Sequence, residues 1–286
     1  MGFKKKWLKK IGYDYSLDEL KNLTKLELAF NKIQDVDDIK ELTNLTGLDL
    51  TSNRIKDISP LKDLKNLTYL DLKFNQISDI SSLKYLKKLT YLDLRDNNIK
   101  DISPLKELPN LTKLKLGNNN ITDLSPLKGI TSLVELELYN NNIKDISPLK
   151  GLTNLNYLDL NYNQIQDISA LKKIINLLKL NLGNNRITNI SKLSKLTELT
   201  MLFLGNNRIK DISAVKEMSD ITHLFLYNNQ IQDLSPLKEL FCLTELDAEG
   251  NPVVIIEGQD PSFLDKNNIK YKTVPDNPVN RKLFQS

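Results

Sequence analysis

The sequence is poor in the residues from which catalytic and metal centres are usually built. Its 286 residues include one cysteine, Cys242, and one histidine, His223. A lone cysteine excludes an internal disulfide, and one His with one Cys excludes metal centres made of those ligands. A Ser-His-Asp triad would have to use His223, yet no G-x-S-x-G motif accompanies it, so His223 reads as a contact residue rather than a catalyst. The glycine motifs of phosphate and dinucleotide binding are missing too. No enzyme, cofactor or metal is expected. No apolar run approaches the roughly 18 residues of a membrane span. The start, MGFKKKWLKKIGYDYS, lacks the apolar stretch of a signal peptide, and Lys6 occupies the place where myristoylation needs Ser or Thr. A cytoplasmic protein is expected; the alternative is a secreted one whose signal peptide is not within this chain.

Charge of one sign is also scarce. The net charge of +4 falls to −1 without the five lysines of residues 1–10. A near-neutral body argues against nucleic acid as the partner.

What the chain has in abundance is repetition. Blocks such as LTNLTGLDLTSNRIKDISPLKD (42–63) and LKNLTYLDLKFNQISDISSLKY (64–85) recur with a period of 22. Asparagine returns in register eleven times, from Asn31, Asn53 and Asn75 to Asn229 and Asn251, with isoleucine two positions later until Val253. Alternation in LxL predicts a short strand with Leu48 and Leu50 inward and Gly47, Asp49 and Thr51 outward. Strands one period apart must pair in parallel. The asparagine amides are placed to satisfy backbone groups of adjacent coils as a ladder. A serine column (Ser59, Ser81, Ser103 and onward), often followed by proline as at Pro60, predicts a helix start with serine as N-cap. One turn of 3₁₀ or α-helix should follow, with Leu61 and Leu64 inward.

An aspartate column precedes those serines: Asp35, Asp57, Asp79, Asp101, Asp123, Asp145, Asp167, Asp211 and Asp233, interrupted by Asn189. Calcium is one reading; a turn residue bonding local backbone N–H groups is the favoured one. N-x-S/T sequons at Asn44, Asn66 and Asn110 arise from the repeated NLT and are read as unglycosylated.

The pattern LxxLxLxxNxI, as in Leu45, Leu48, Leu50, Asn53 and Ile55, followed by DISPLK, resembles the short 22-residue class of leucine-rich repeats over about residues 12–256. Bacterial internalins and a nuclear phosphatase-regulating protein typify that class. The resemblance implies an α/β repeat solenoid, a horseshoe with a concave parallel sheet and short turns on the convex side. Three regions are expected: 1–22, an N-terminal cap helix and partial repeat; 23–256, the repeats; and 257–286, a C-terminal cap and tail, where Ile269 and Tyr271 suggest one last strand. Phe3, Trp7, Leu8 and Ile11 fall on one helical face with lysines opposite, so residues 1–11 read as a cap or, alternatively, as a membrane-surface contact.

The resemblance implies protein binding through the outward strand positions of the concave face. Met201, Phe203, His223, Phe225 and Tyr227 fall on adjacent strands and are expected to form one apolar patch. Asp49, Asp71 and Asp93, bordered by Lys73 and Arg95, are either laterally paired or a charged docking strip. Tyr69 and Tyr91 lie beside it, and Tyr139 and Tyr157 extend the aromatic line. The expected function is a non-catalytic scaffold for a protein partner, monomeric on its own. The alternatives are an internalin-like adhesin and a membrane-surface regulator docked through residues 1–11.

Overall fold

The computed structural model describes residues 17–253 and the strand Lys270–Lys272. The expected apolar face of residues 1–11, the Ser16 cap and most of the tail lie outside the described residues. The chain divides into two compact units, Met1–Ile143 and Lys144–Ser286.

Among the described residues, helix α1 (Leu17–Asn22) comes first in the first unit and buries Leu20. Six three-residue strands follow: β1 (Lys25–Glu27), β2 (Gly47–Asp49), β3 (Tyr69–Asp71), β4 (Tyr91–Asp93), β5 (Lys113–Lys115) and β6 (Glu135–Glu137). Each pairs with the next in parallel, shifted by one period: Leu26 opposes Leu48, Leu48 opposes Leu70, and so on to Leu114 and Leu136. The second unit repeats the arrangement with β7 (Tyr157–Asp159), β8 (Lys179–Asn181), β9 (Met201–Phe203), β10 (His223–Phe225) and β11 (Glu245–Asp247). The last strand, β12 (Lys270–Lys272), pairs Tyr271 with Leu246, so the strand suggested by Ile269 and Tyr271 is present. The α/β repeat solenoid expected from the period is the observed architecture.

The core lies between sheet and turns. Central leucines such as Leu48, Leu92, Leu158 and Leu202 are fully buried, as are Leu61 and Leu64 from the turn side. Nearly every inward position is filled by leucine, isoleucine or valine, with Met218 and Ala248 as exceptions, so successive coils stack on a continuous apolar core.

The asparagine ladder forms as expected. Asn53 Oδ1 accepts from the backbone N–H of Ile33 at 2.9 Å, and its Nδ2 donates to the carbonyls of Leu28 and Leu50 at 2.8 and 2.9 Å. One side chain thus serves two coils at the bend where strand hydrogen bonding stops.

The residue just before each ladder asparagine takes a left-handed conformation: Ser52, Phe74, Asp96, Asn118, Asn140, Tyr162, Asn184, Asn206 and Asn228 have φ between 48° and 56°. Asparagine and aspartate tolerate this region best among non-glycine residues, and Gly250, the last of the column, has φ 71°. This column builds a second ladder nearer the solvent. Asn118 Nδ2 donates to Asp96 at 2.7 Å and Asn140 to Asn118 at 2.6 Å in the first unit. In the second, Asn206 donates to Asn184 and Asn228 to Asn206, at 2.9 and 2.8 Å.

The turns opposite the sheet are 3₁₀ helices such as Ser59–Asp63 and Ser103–Glu107. Serine is not their N-cap. Ile58 holds that position and makes no side-chain cap bond, while Ser59 is the first residue of the turn. Asp57 does the capping, accepting from the Ser59 backbone N–H at 2.7 Å and from its hydroxyl at 3.1 Å. The same pair recurs at Asp101–Ser103 and Asp145–Ser147. This is the local turn role expected of the aspartate column; the Asp123 carboxyl is held below its ordinary value by the backbone and hydroxyl of Ser125. The sequon asparagines are engaged as well, because the Nδ2 groups of Asn44, Asn66 and Asn110 donate to carbonyls of the preceding coil at 2.9–3.0 Å.

Candidate partner-binding surface

Side chains flanking each buried central leucine face away from the core, because side chains alternate along a strand. In the first unit these positions carry charge and tyrosine. Two of the three aspartates expected to face solvent do not. Asp71 is 2% exposed and Asp93 0%. Residues i and i+2 share a face of the strand, so the long side chains of Lys73 and Arg95 fold back over the carboxylates. Lys73 Nζ meets Asp71 Oδ2 at 2.8 Å, and Arg95 grips Asp93 through Nε at 3.0 Å and Nη2 at 2.6 Å. Arg95 Nη1 reaches Glu137 at 3.2 Å, and Lys115 closes on the same carboxylate at 2.7 Å. The Asp93 hydrogen bond holds the Arg95 guanidinium above its ordinary pKa against the opposing effect of burial. The aspartate column is therefore a compensated lateral network, with Asp71 and Asp93 beneath the surface rather than on it. Thr51, also expected outward, is buried at 4%, and its hydroxyl lacks a hydrogen-bond partner.

Tyr69 and Tyr91 stack with centroids 4.4 Å apart and planes 13° from parallel. Burial raises both phenols, Tyr91 more strongly, and Asp71 and Asp93 beneath them add to the effect. Tyr139 lies flat over Gly117, where any Cβ would overlap its ring, and burial raises its phenol too.

In the second unit Phe203 and Phe225 stack with centroids 4.6 Å apart and planes 3° from parallel. Register brings them together, since Phe225 opposes Phe203 and His223 opposes Met201. All four are half-buried and flank the fully buried Leu202 and Leu224. The Thr222 hydroxyl donates to the Thr200 carbonyl at 3.0 Å and lies 2.8 Å from His223 Nδ1. The other ring nitrogen, Nε2, lies 3.6 Å from Glu245 Oε2. Tyr227 lies flat over Gly205. Tyr157 is half-buried in β7.

Sequence reasoning missed the role of the two glycines, although a glycine one period before a tyrosine was visible at both places. Gly205→Ala should cost about 1–2 kcal/mol, because the new methyl overlaps the ring. Urea denaturation of Gly205→Ala and Gly205→Ala/Tyr227→Ala checks it; removing the ring should abolish most of the cost.

These coils, with LxL strands, an inner asparagine ladder and 3₁₀ turns, match the signature of the family described as Leucine Rich repeats (2 copies) at residues 21–62, 43–85, 87–129, 131–173 and 175–217. The chain belongs to the leucine-rich-repeat family. Among solved structures, an internalin of Listeria monocytogenes str. 4b F2365, InlF, is 35% identical over 94% of this chain and 86% of its own, with a TM-score of 0.76. The functional domain of InlJ from Listeria monocytogenes is 31% identical over 89% of this chain, TM-score 0.75, and this chain spans 54% of its length. That domain includes a cysteine ladder, whereas this leucine-rich-repeat chain, with its single cysteine, builds its ladder from asparagine. A leucine-rich-repeat protein of Leptospira interrogans is 26% identical over 88% of this chain and 73% of its own, TM-score 0.73. No curated protein matches the sequence. Among the described residues no group of His, Cys, Asp or Glu is arranged to hold a metal ion, and no helix is long and apolar enough to cross a membrane.

Proposed function

We propose that this leucine-rich-repeat protein is a non-catalytic scaffold that binds a protein partner on the outward side of its sheet, the face expected to be concave. The supporting observation is the Phe203–Phe225 stack, held at 4.6 Å with Met201, His223 and Tyr227 around it. Half-buried aromatic rings already ordered by their neighbours lose little entropy on binding, which suits them as anchors. The Tyr69–Tyr91 stack, rimmed by Lys73 and Arg95, supplies the same chemistry in the first unit. There the charges are already paired, so they set partner orientation more than affinity. A second reading, an internalin-like adhesin, is favoured by the 35% identity to InlF across 86% of that chain. It differs in where the partner resides, not in the face used.

The test is affinity capture from the source cell and from host-cell extract, comparing wild type with Phe203→Ala/Phe225→Ala. Each truncation at an anchor should cost about 2 kcal/mol or more, or about thirtyfold in Kd. A double variant with native circular dichroism that retained every partner would sink the proposal.

A further inference from the structure

In a repeat protein the other coils are an internal reference for each position. Two exposed positions depart from that reference together. Ile175 and Leu178 are 52% and 42% exposed, where the flanking coils carry Thr153 and Thr197, and Asn156 and Thr200. The departure at Leu178 forgoes a bond. Thr200, Thr222 and Thr244 each donate a hydroxyl to the carbonyl one coil back at 3.0 Å, and leucine has no donor to do so.

Lysines lie close by. Lys172 and Lys173 are exposed just before Ile175 in the chain. A groove of about 320 Å³ is lined by Ile175, Asn176, Leu178, Lys195, Thr197 and Glu198, so a third lysine and one acid share it with the two aliphatics. It lies on the edge of the coils that leads into the strands, away from the Phe203–Phe225 stack.

We propose that this edge is a second docking surface, taking an acidic protein segment that presents apolar side chains. The lysines match the carboxylates, and Ile175 and Leu178 take the apolar residues between them. Exposed branched aliphatics gain nothing in the isolated protein, since polar residues at the same positions fold equally well in other coils. They gain when covered, because their apolar surface then leaves water.

The reference coils also supply the test. Ile175→Thr/Leu178→Thr installs the residues its neighbours already use, so it should fold with unchanged or raised stability. The probe is a fluorescently labelled peptide alternating glutamate with leucine, titrated against the full chain by anisotropy. Binding to wild type is expected, weakening with added salt. It should fall about tenfold or more in Ile175→Thr/Leu178→Thr and again in Lys173→Glu/Lys195→Glu, and stay unchanged in Phe203→Ala/Phe225→Ala. Three results would overturn the proposal: no binding to wild type, binding indifferent to the edge substitutions, or loss in the phenylalanine variant. Vesicles of phosphatidylserine and phosphatidylcholine provide the other arm. If they bind through these residues while the peptide does not, the surface is a membrane contact and the proposal is wrong.

Discussion

Asn119→Ala is expected to lower the unfolding free energy by about 2–3 kcal/mol. Asn119 is 8% exposed and makes four hydrogen bonds: Oδ1 accepts from Ile99 N–H at 2.9 Å, and Nδ2 donates to the carbonyls of Leu94, Leu116 and Gly117 at 3.0–3.2 Å. Two of those partners belong to the preceding coil. Truncation strands the Ile99 N–H, a buried unsatisfied group that costs about 1–3 kcal/mol, while the Leu94, Leu116 and Gly117 carbonyls each keep a second donor: Asn97 Nδ2, Asn141 Nδ2 and the Asp96 N–H. Each of the three carbonyls loses one of its donors and keeps another, which adds less. The urea midpoint followed by circular dichroism measures the loss. Asn118→Ala, one residue earlier, is the comparison. Its side chain bonds only its neighbours in the solvent-side ladder, so it should cost less than half as much.

Asp93→Ala is expected to cost about 3 kcal/mol. The carboxylate is fully buried, and Arg95, still 23% exposed at its side chain, would keep Glu137 but lose its closest counter-charge. Breaking a buried pair from one side strands a charge, which is where most of the penalty arises. Asp93→Leu/Arg95→Leu removes both charges and should recover most of the loss. The exposed pair Lys87–Glu107, at 2.7 Å with side chains 52% and 46% exposed, should contribute little, because solvent screens it. Thermal unfolding of the single and double variants separates the two cases. If Asp93→Ala proved as mild as Glu107→Ala, the lateral network would have no structural weight.

Much of this was legible before any coordinates. Columns one period apart had to be stacked neighbours, so Leu48, Leu70 and Leu92 announced a core and Asn53, Asn75 and Asn97 a ladder. The pairing of Phe203 with Phe225 followed from the same register. What the period left open was the direction of long side chains. Arg95 bonds Glu137 across 42 residues, and nothing in either coil alone marks that contact. The serine column looked like an N-cap because Ser-Pro usually is one; the short 3₁₀ geometry hands the role to the aspartate two residues earlier. The left-handed residue before each ladder asparagine was hidden because Phe74 and Tyr162 occupy a place where asparagine is the rule, and side-chain identity alone does not reveal a positive φ.

By itself the amino-acid order determined the coil length, the inward columns, the parallel register and the family, because each depends only on spacing repeated along the chain. Folding decided the rest. Asp71 and Asp93 went under Lys73 and Arg95, the tyrosines lay down over Gly117 and Gly205, and Ile175 and Leu178 stayed uncovered. These outcomes turn on which side chains meet across neighbouring coils and how much water they displace, and only the assembled stack brings those partners within reach.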